Sequence, residues 1–140
     1  MIGIKSTTLL ALVTLVFPAA VSLRAEDRMR AGLWEVTSTL DGKSSGSRNT
    51  CFTPAMVEIG NSPVKALREA TEKSSTKMGC TLKDFKMDGN KISMVQVCAA
   101  RSLAISSTYS GGAFETVNTS TEAGVSKVIR MKGRRIGDCK

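Results

Sequence analysis

The sequence predicts a mainly β fold, an antiparallel meander forming a curved sheet or partial barrel of about six strands, with one or two short helices packed on it. Three observations carry this expectation. Apolar residues recur with a period of two over 33–40, and again from Cys80 almost to the end. Turn signals rich in Gly, Asn and Ser interrupt the later runs at 88–90, 110–112 and 121–124. Between the two blocks, Thr53-Pro54 and Ser62-Pro63 each place a hydroxyl ahead of a proline, the pattern of a helix start.

The first residues are expected to lie outside this fold. Lys5 supplies a positive flank and residues 9–17 an apolar run too short to span a bilayer, which together read as an export signal. A cut after Ser22 puts Ala20 at −3 and Ser22 at −1, whereas a cut after Ala25 puts Leu23 at −3, so the small-residue rule favours the first. Neither cut leaves a cysteine in front, so lipid attachment is not expected. No later segment is apolar for long enough to form a membrane-spanning helix. Residues 1–22 are therefore read as a cleaved signal peptide and 23–140 as one soluble, monomeric, disulfide-stapled domain, periplasmic or secreted. A chain of this length buries a real core, and with four Phe, one Trp and one Tyr that core is expected to be aliphatic.

Four cysteines, at 51, 80, 98 and 139, make an even set for an oxidising compartment. There is no CxxC and no histidine, so two disulfides are expected rather than a metal site. No cofactor is implied.

In order along the chain, Trp34, Val36 and Leu40 alternate with Glu35, Thr37 and Thr39 as in a half-buried strand. Residues 41–50, with three Ser and two Gly, read as a polar loop leading to Cys51. Thr53 and Ser62 are expected N-caps of two helices. The first is stopped by Gly60; the second presents Val64, Leu67, Ala70 and Thr71 on one face and runs to about Lys73. The stretches 81–87 and 91–99 form a hairpin around Asp88-Gly89-Asn90. A three-residue loop sets Met87 against Lys91 and Cys80 against Cys98. A four-residue loop sets Met87 against Ile92 and the cysteines one step out of register, and either keeps the two sulfurs close. Leu103, Ile105 and Tyr109, then Phe114 and Thr116, continue the meander, and Val125, Ile129 and Met131 mark a closing strand. Pairing the remaining cysteines joins Cys51 to Cys139. Gly133 and Gly137 are read as turns that aim Cys139 at its partner, with Ile136 as an apolar anchor.

The blocks 32–37, Cys51-Phe52-Thr53-Pro54, Gly79-Cys80 with Gly89-Asn90 and Cys98, and the tail 133–139 resemble the small exported bacterial proteins of domain-of-unknown-function family 3617. Ala31 stands where a proline often precedes the glycine, and Ala55 where an acidic residue often follows Thr-Pro. The resemblance implies a periplasmic or secreted location and structural cysteines. It implies no activity.

The chemistry narrows by subtraction. With no histidine, a Ser–His or Cys–His nucleophile lacks its base. Ser126 and Lys127 are strand neighbours pointing to opposite faces, so they form no dyad. Carboxylates are dispersed, and no Gly-rich phosphate loop opens a helix. The net charge of +8 is concentrated toward the end, where Arg130, Lys132 and Arg134 share strand parity beside Arg135. Successive members of such a row stand about 6.6 Å apart. Export and scarce aromatics argue against a nucleic-acid role, and none is expected. The expected function is that of a non-catalytic envelope protein holding a small apolar or amphipathic ligand between sheet and helix. The second reading is a module that docks an anionic envelope partner through Arg130, Lys132, Arg134 and Arg135.

Overall fold

The computed structural model describes residues 27–140; the expected signal peptide and both cleavage positions lie outside the described residues. Nine elements follow in order: β1 (Gly32–Leu40), β2 (Lys43–Phe52), α1 (Pro54–Asn61), α2 (Val64–Lys77), β3 (Cys80–Asp88), β4 (Lys91–Cys98), β5 (Arg101–Tyr109), β6 (Ala113–Glu122) and β7 (Val125–Gly137). The strands form one open antiparallel sheet in the order β2-β1-β7-β6-β5-β4-β3. The helical insert therefore carries the chain from one sheet edge to the other, and the β3–β7 meander brings it back beside β1.

The sheet has seven strands because residues 41–50 are not a loop. Asp41 and Gly42 adopt φ of 47° and 80°, the two positive values of a tight two-residue hairpin turn, and Leu40 pairs directly with Lys43. Asp41 is also tied to β7: its amide donates to the Val128 carbonyl at 2.8 Å and its Oδ1 accepts from the Val128 amide at 2.7 Å. β2 has no apolar alternation to reveal it. As an edge strand it is held by the β1 ladder and by Cys51 rather than by a buried face.

The β3–β4 hairpin resolves the two registers left open by the sequence. The loop has two residues, Gly89 and Asn90, so Met87 faces Ile92; a bulge between Lys83 and Lys86 then brings Cys80 opposite Cys98. The Cys80 and Cys98 Cα atoms are 4.2 Å apart, and those of Cys51 and Cys139 are 5.6 Å apart; both pairs are bridged.

Both helices start at hydroxyl-proline pairs, α1 on Pro54 and α2 just after Pro63, with different caps. Thr53 Oγ1 accepts from the Met56 amide at 3.4 Å, whereas Ser62 closes α1, its hydroxyl donating to the Ile59 carbonyl at 2.6 Å, and gives α2 no side-chain cap. α2 continues past Lys73 through a polar stretch, with the Thr71 and Ser75 hydroxyls donating to the carbonyls of Leu67 and Thr71 one turn back. Fully buried Ser75 accepts from Gln96 Nε2 at 2.8 Å, pinning α2 to β4. The other end of the insert is held by residues 28–30. Arg28 Nε donates to the Gly60 carbonyl at 2.8 Å, and Asn61 exchanges two hydrogen bonds with the Met29 backbone.

Every buried strand residue lies on the helix-covered face: Gly32, Trp34 and Val36 on β1, Ile92 and Gln96 on β4, Ser107 on β5, Thr116 on β6 and Gly133 on β7. Aliphatic side chains are the more numerous in the core, as the composition suggests, but its centre is aromatic. Trp34 packs edge-on to Phe52 at 5.9 Å and against Phe114 at 5.7 Å between ring centroids, and Tyr109 joins at 6.3 Å from Phe114.

Gly133 explains part of this packing. It is not a turn but a buried mid-strand residue paired with Val36 and Phe114, and a Cβ placed there would collide with the Phe114 ring at Cε1. The missing side chain lets the ring lie flat across β7. Gly133→Ala is expected to destabilise the fold by about 1–3 kcal/mol through overpacking, measured as a lower urea midpoint with an unchanged slope. Ile136, read as an anchor, is 42% exposed and does not fill the core.

Candidate functional site

The basic row on β7 is mostly internally paired. Arg130, Lys132 and Arg134 lie on the face away from the helices, but β7 is a central strand, and its neighbours supply carboxylates. Lys132 Nζ is 2.8 Å from Glu115 Oε1 on β6, and Arg134 Nε donates to Glu35 Oε2 on β1 at 2.7 Å. Arg135, the strand neighbour of Arg134, points to the opposite face; it donates to the Ala31 carbonyl at 2.8 Å and pairs with Asp138. It belongs to the closure of the chain, where it and the Gly137 carbonyl leave no room for a Cβ on Gly32. Of the four, Arg130 alone, between Thr39 and Val117, has no ion pair among the described residues.

The more distinctive site lies on the other face. On this face α2 packs beside β3 and meets Gln96 through Ser75, whereas the part where β2, β1 and β7 run toward the Asp41-Gly42 turn is lined by no helix among the described residues. There Leu40 and Ile129, cross-strand partners, are 42% and 38% exposed. Beside them is a trough of 220 Å³, lined by residues of those three strands and by none from a helix. Val36, Ser38, Ile129 and Met131 contribute from β1 and β7, and Ser45 and Arg48 from β2.

Local backbone geometry shapes this wall. Ser38 faces Gly46 while Thr39 faces Ser44, so Ser45 is an extra residue bulged out of the ladder, next to Gly46 with φ 103°. Two positions on, Arg48 stands opposite Val36, which places its stem on the trough side, beside a side chain only 6% exposed. No acidic residue lines the trough, and Arg48 has no ion pair among the described residues. Asn118, the cross-strand partner of Ile129 on β6, has a buried Oδ1 with no hydrogen-bond partner among the described residues.

Such a site offers apolar contact, hydroxyl donors and one guanidinium. It offers no paired acid and base, and among the described residues no cluster of carboxylates and cysteines suited to a metal ion. Arg48 and Ser45 were hidden because 41–50 read as a loop; the Asp-Gly pair at 41–42, a strong hairpin signal, is what points to β2 and hence to the side chains it carries.

A family model described as a protein of unknown function, DUF3617, matches residues 29–139. The chain belongs to this family. The DUF3617 match takes in the sheet, both helices, residues 29 and 30 of the 28–30 strap that holds the helical insert, and all four cysteines, and it ends on Cys139. The family resemblance read from the tail and the cysteine blocks is thereby established, while the DUF3617 description assigns no activity. No curated protein and no solved structure matches the chain.

Proposed function

We propose that this is a non-catalytic exported protein that holds a small amphipathic ligand in the open trough on the helix-side face of its sheet. The observation that carries the reading is the incomplete cover: the face that buries Trp34 at one end leaves Leu40 and Ile129 exposed at the other, beside a lined trough. Exposed apolar side chains that adjoin a concavity, rather than stand singly, are the mark of a binding surface. Export is supported by the amino-terminal pattern of Lys5 and the apolar run, and by two bridged cysteine pairs that use every cysteine in the chain. No helix among the described residues is long and apolar enough to cross a membrane.

Native mass spectrometry of protein released gently from the periplasm tests this. A discrete mass excess is expected on the folded chain, together with its loss from Ile129→Asp, a variant that should fold because the position is already partly exposed. Repeated recovery of the bare polypeptide mass alone would overturn the reading. The second reading, a basic strand docked on an anionic envelope partner, has less support, since Lys132, Arg134 and Arg135 already have acidic neighbours and Arg130 stands by itself.

A further inference from the structure

We infer that the trough takes a single-chain amphipath with an anionic head group, a carboxylate or a phosphate monoester, and that Arg48 is the residue that anchors the head. This rests on the reading of the trough as a ligand site and names its ligand class. Among the described residues Arg48 is the only charged one lining the trough, and it stands directly across from buried Val36, so a cation and an apolar floor meet at one register position. The nearby carboxylates are engaged elsewhere. Glu35 and Glu115 pair with Arg134 and Lys132 on the opposite face, and Asp41 accepts from the Val128 amide. A guanidinium can grip a planar or tetrahedral oxyanion through two parallel hydrogen bonds, and the hydroxyls of Ser38 and bulged Ser45 supply further donors.

The competing concavities lack this combination. A wider hollow on the outer face, lined by Val95, Ala104 and Val117, carries Asp84 and Lys86, whose opposite charges cancel. The trough's 220 Å³ is smaller than the roughly 300–1,000 Å³ of pockets that enclose a drug-sized ligand, so it takes a short chain, or the head and first carbons of a longer one. The positive net charge, +8 for the whole sequence and +7 once Lys5 leaves with residues 1–22, favours the approach of such an anion.

The test uses the exported, oxidised protein with decanoate, decyl phosphate and decyltrimethylammonium, each below its micellar concentration, with binding followed by isothermal titration calorimetry. Wild type is expected to bind the two anions and to bind the cation at least tenfold more weakly. Arg48→Gln should weaken both anions by about ten- to a hundredfold, the range of a lost charge-assisted hydrogen bond, and narrow the gap to the cation. Arg130→Gln, the same loss of charge on the opposite face, should change little. Equal binding of all three probes, abolished by Ile129→Asp and untouched by Arg48→Gln, would leave the trough standing and overturn the anionic assignment. Binding of no probe to wild type would overturn both, as would equal losses in Arg48→Gln and Arg130→Gln, which would mark diffuse charge attraction. Association with anionic vesicles without binding of free decanoate or decyl phosphate would overturn the single-molecule reading in favour of a membrane surface. Coincident unfolding curves for the variants establish that the losses are not losses of fold.

Discussion

Replacing Cys139 by Ser is expected to lower the thermal midpoint by on the order of 10–15 °C, replacing Cys51 by Ser to do the same, and the double replacement to add little. The bond joins residues 88 apart in sequence, and the chain-entropy argument assigns a loop of that length about 4.5 kcal/mol. The Cys80–Cys98 bond, with a separation of 18, is assigned about 3 kcal/mol. Topology adds a reason for the difference. Cys80 and Cys98 already face each other across a hairpin, whereas β2 is an edge strand with only β1 beside it. The 51–139 bridge ties the end of β2 to the tail beyond β7, on the far side of β1, and so fastens three adjoining strands whose two outer members come from opposite ends of the chain. Since β2 also carries Ser45 and Arg48, the same substitution should weaken ligand binding, while Cys80→Ser should lower stability with a smaller effect on the trough. Differential scanning calorimetry of the two single variants and the double variant checks this, and fully additive losses would show that Cys51 and Cys139 do not act as partners.

Trp34→Ala is expected to cost about 3–5 kcal/mol, a large share of a total stability of about 5–15 kcal/mol. Trp34 has no exposed surface, and its ring is the contact common to Phe52 and Phe114. Its Nε1 donates to the Arg30 carbonyl at 3.0 Å, and the Arg30 amide in turn donates to the Gly111 carbonyl at 3.0 Å. The indole therefore holds both the core and the strap that clamps the helical insert. Trp34→Phe should keep most of the packing and lose the hydrogen bond, for an intermediate cost of about 1–3 kcal/mol. The chain has a single Trp, so unfolding must be followed by circular dichroism rather than by indole fluorescence. A cost below about 1 kcal/mol for Trp34→Ala would be too small for a buried aromatic and would place the core elsewhere.

These expectations show which features could be read from residues alone. Alternation is local, so strands with one apolar face declared themselves: Trp34 and Val36 on β1, Phe114 and Thr116 on β6, Ile129 and Met131 on β7. Turn chemistry is local as well, and placed the hairpins at 88–90, 110–112 and 121–124 near their observed positions. β2 was missed because an edge strand held by its neighbour's ladder needs no hydrophobic period of its own. The second helix outruns its hydrophobic stripe because its last turns are anchored by the buried Ser75–Gln96 hydrogen bond, which leaves no trace in apolar periodicity.

The basic tail separates the two levels most clearly. Its charge, its glycines and its final cysteine are properties of the sequence, and so is the expectation of a mainly β, disulfide-stapled domain. Only the tertiary structure decided that β7 is central, that Gly133 makes room for Phe114 rather than for a turn, and that Glu35 and Glu115 stand beside Arg134 and Lys132. It also decided where an unpaired cation meets apolar surface: not in that row, but at Arg48 on a strand with no hydrophobic pattern. The physical reason is range. Propensity and periodicity act over a few residues, whereas strand order, ion pairing and the extent of helix cover depend on partners up to a hundred residues away, brought together only when the sheet is assembled.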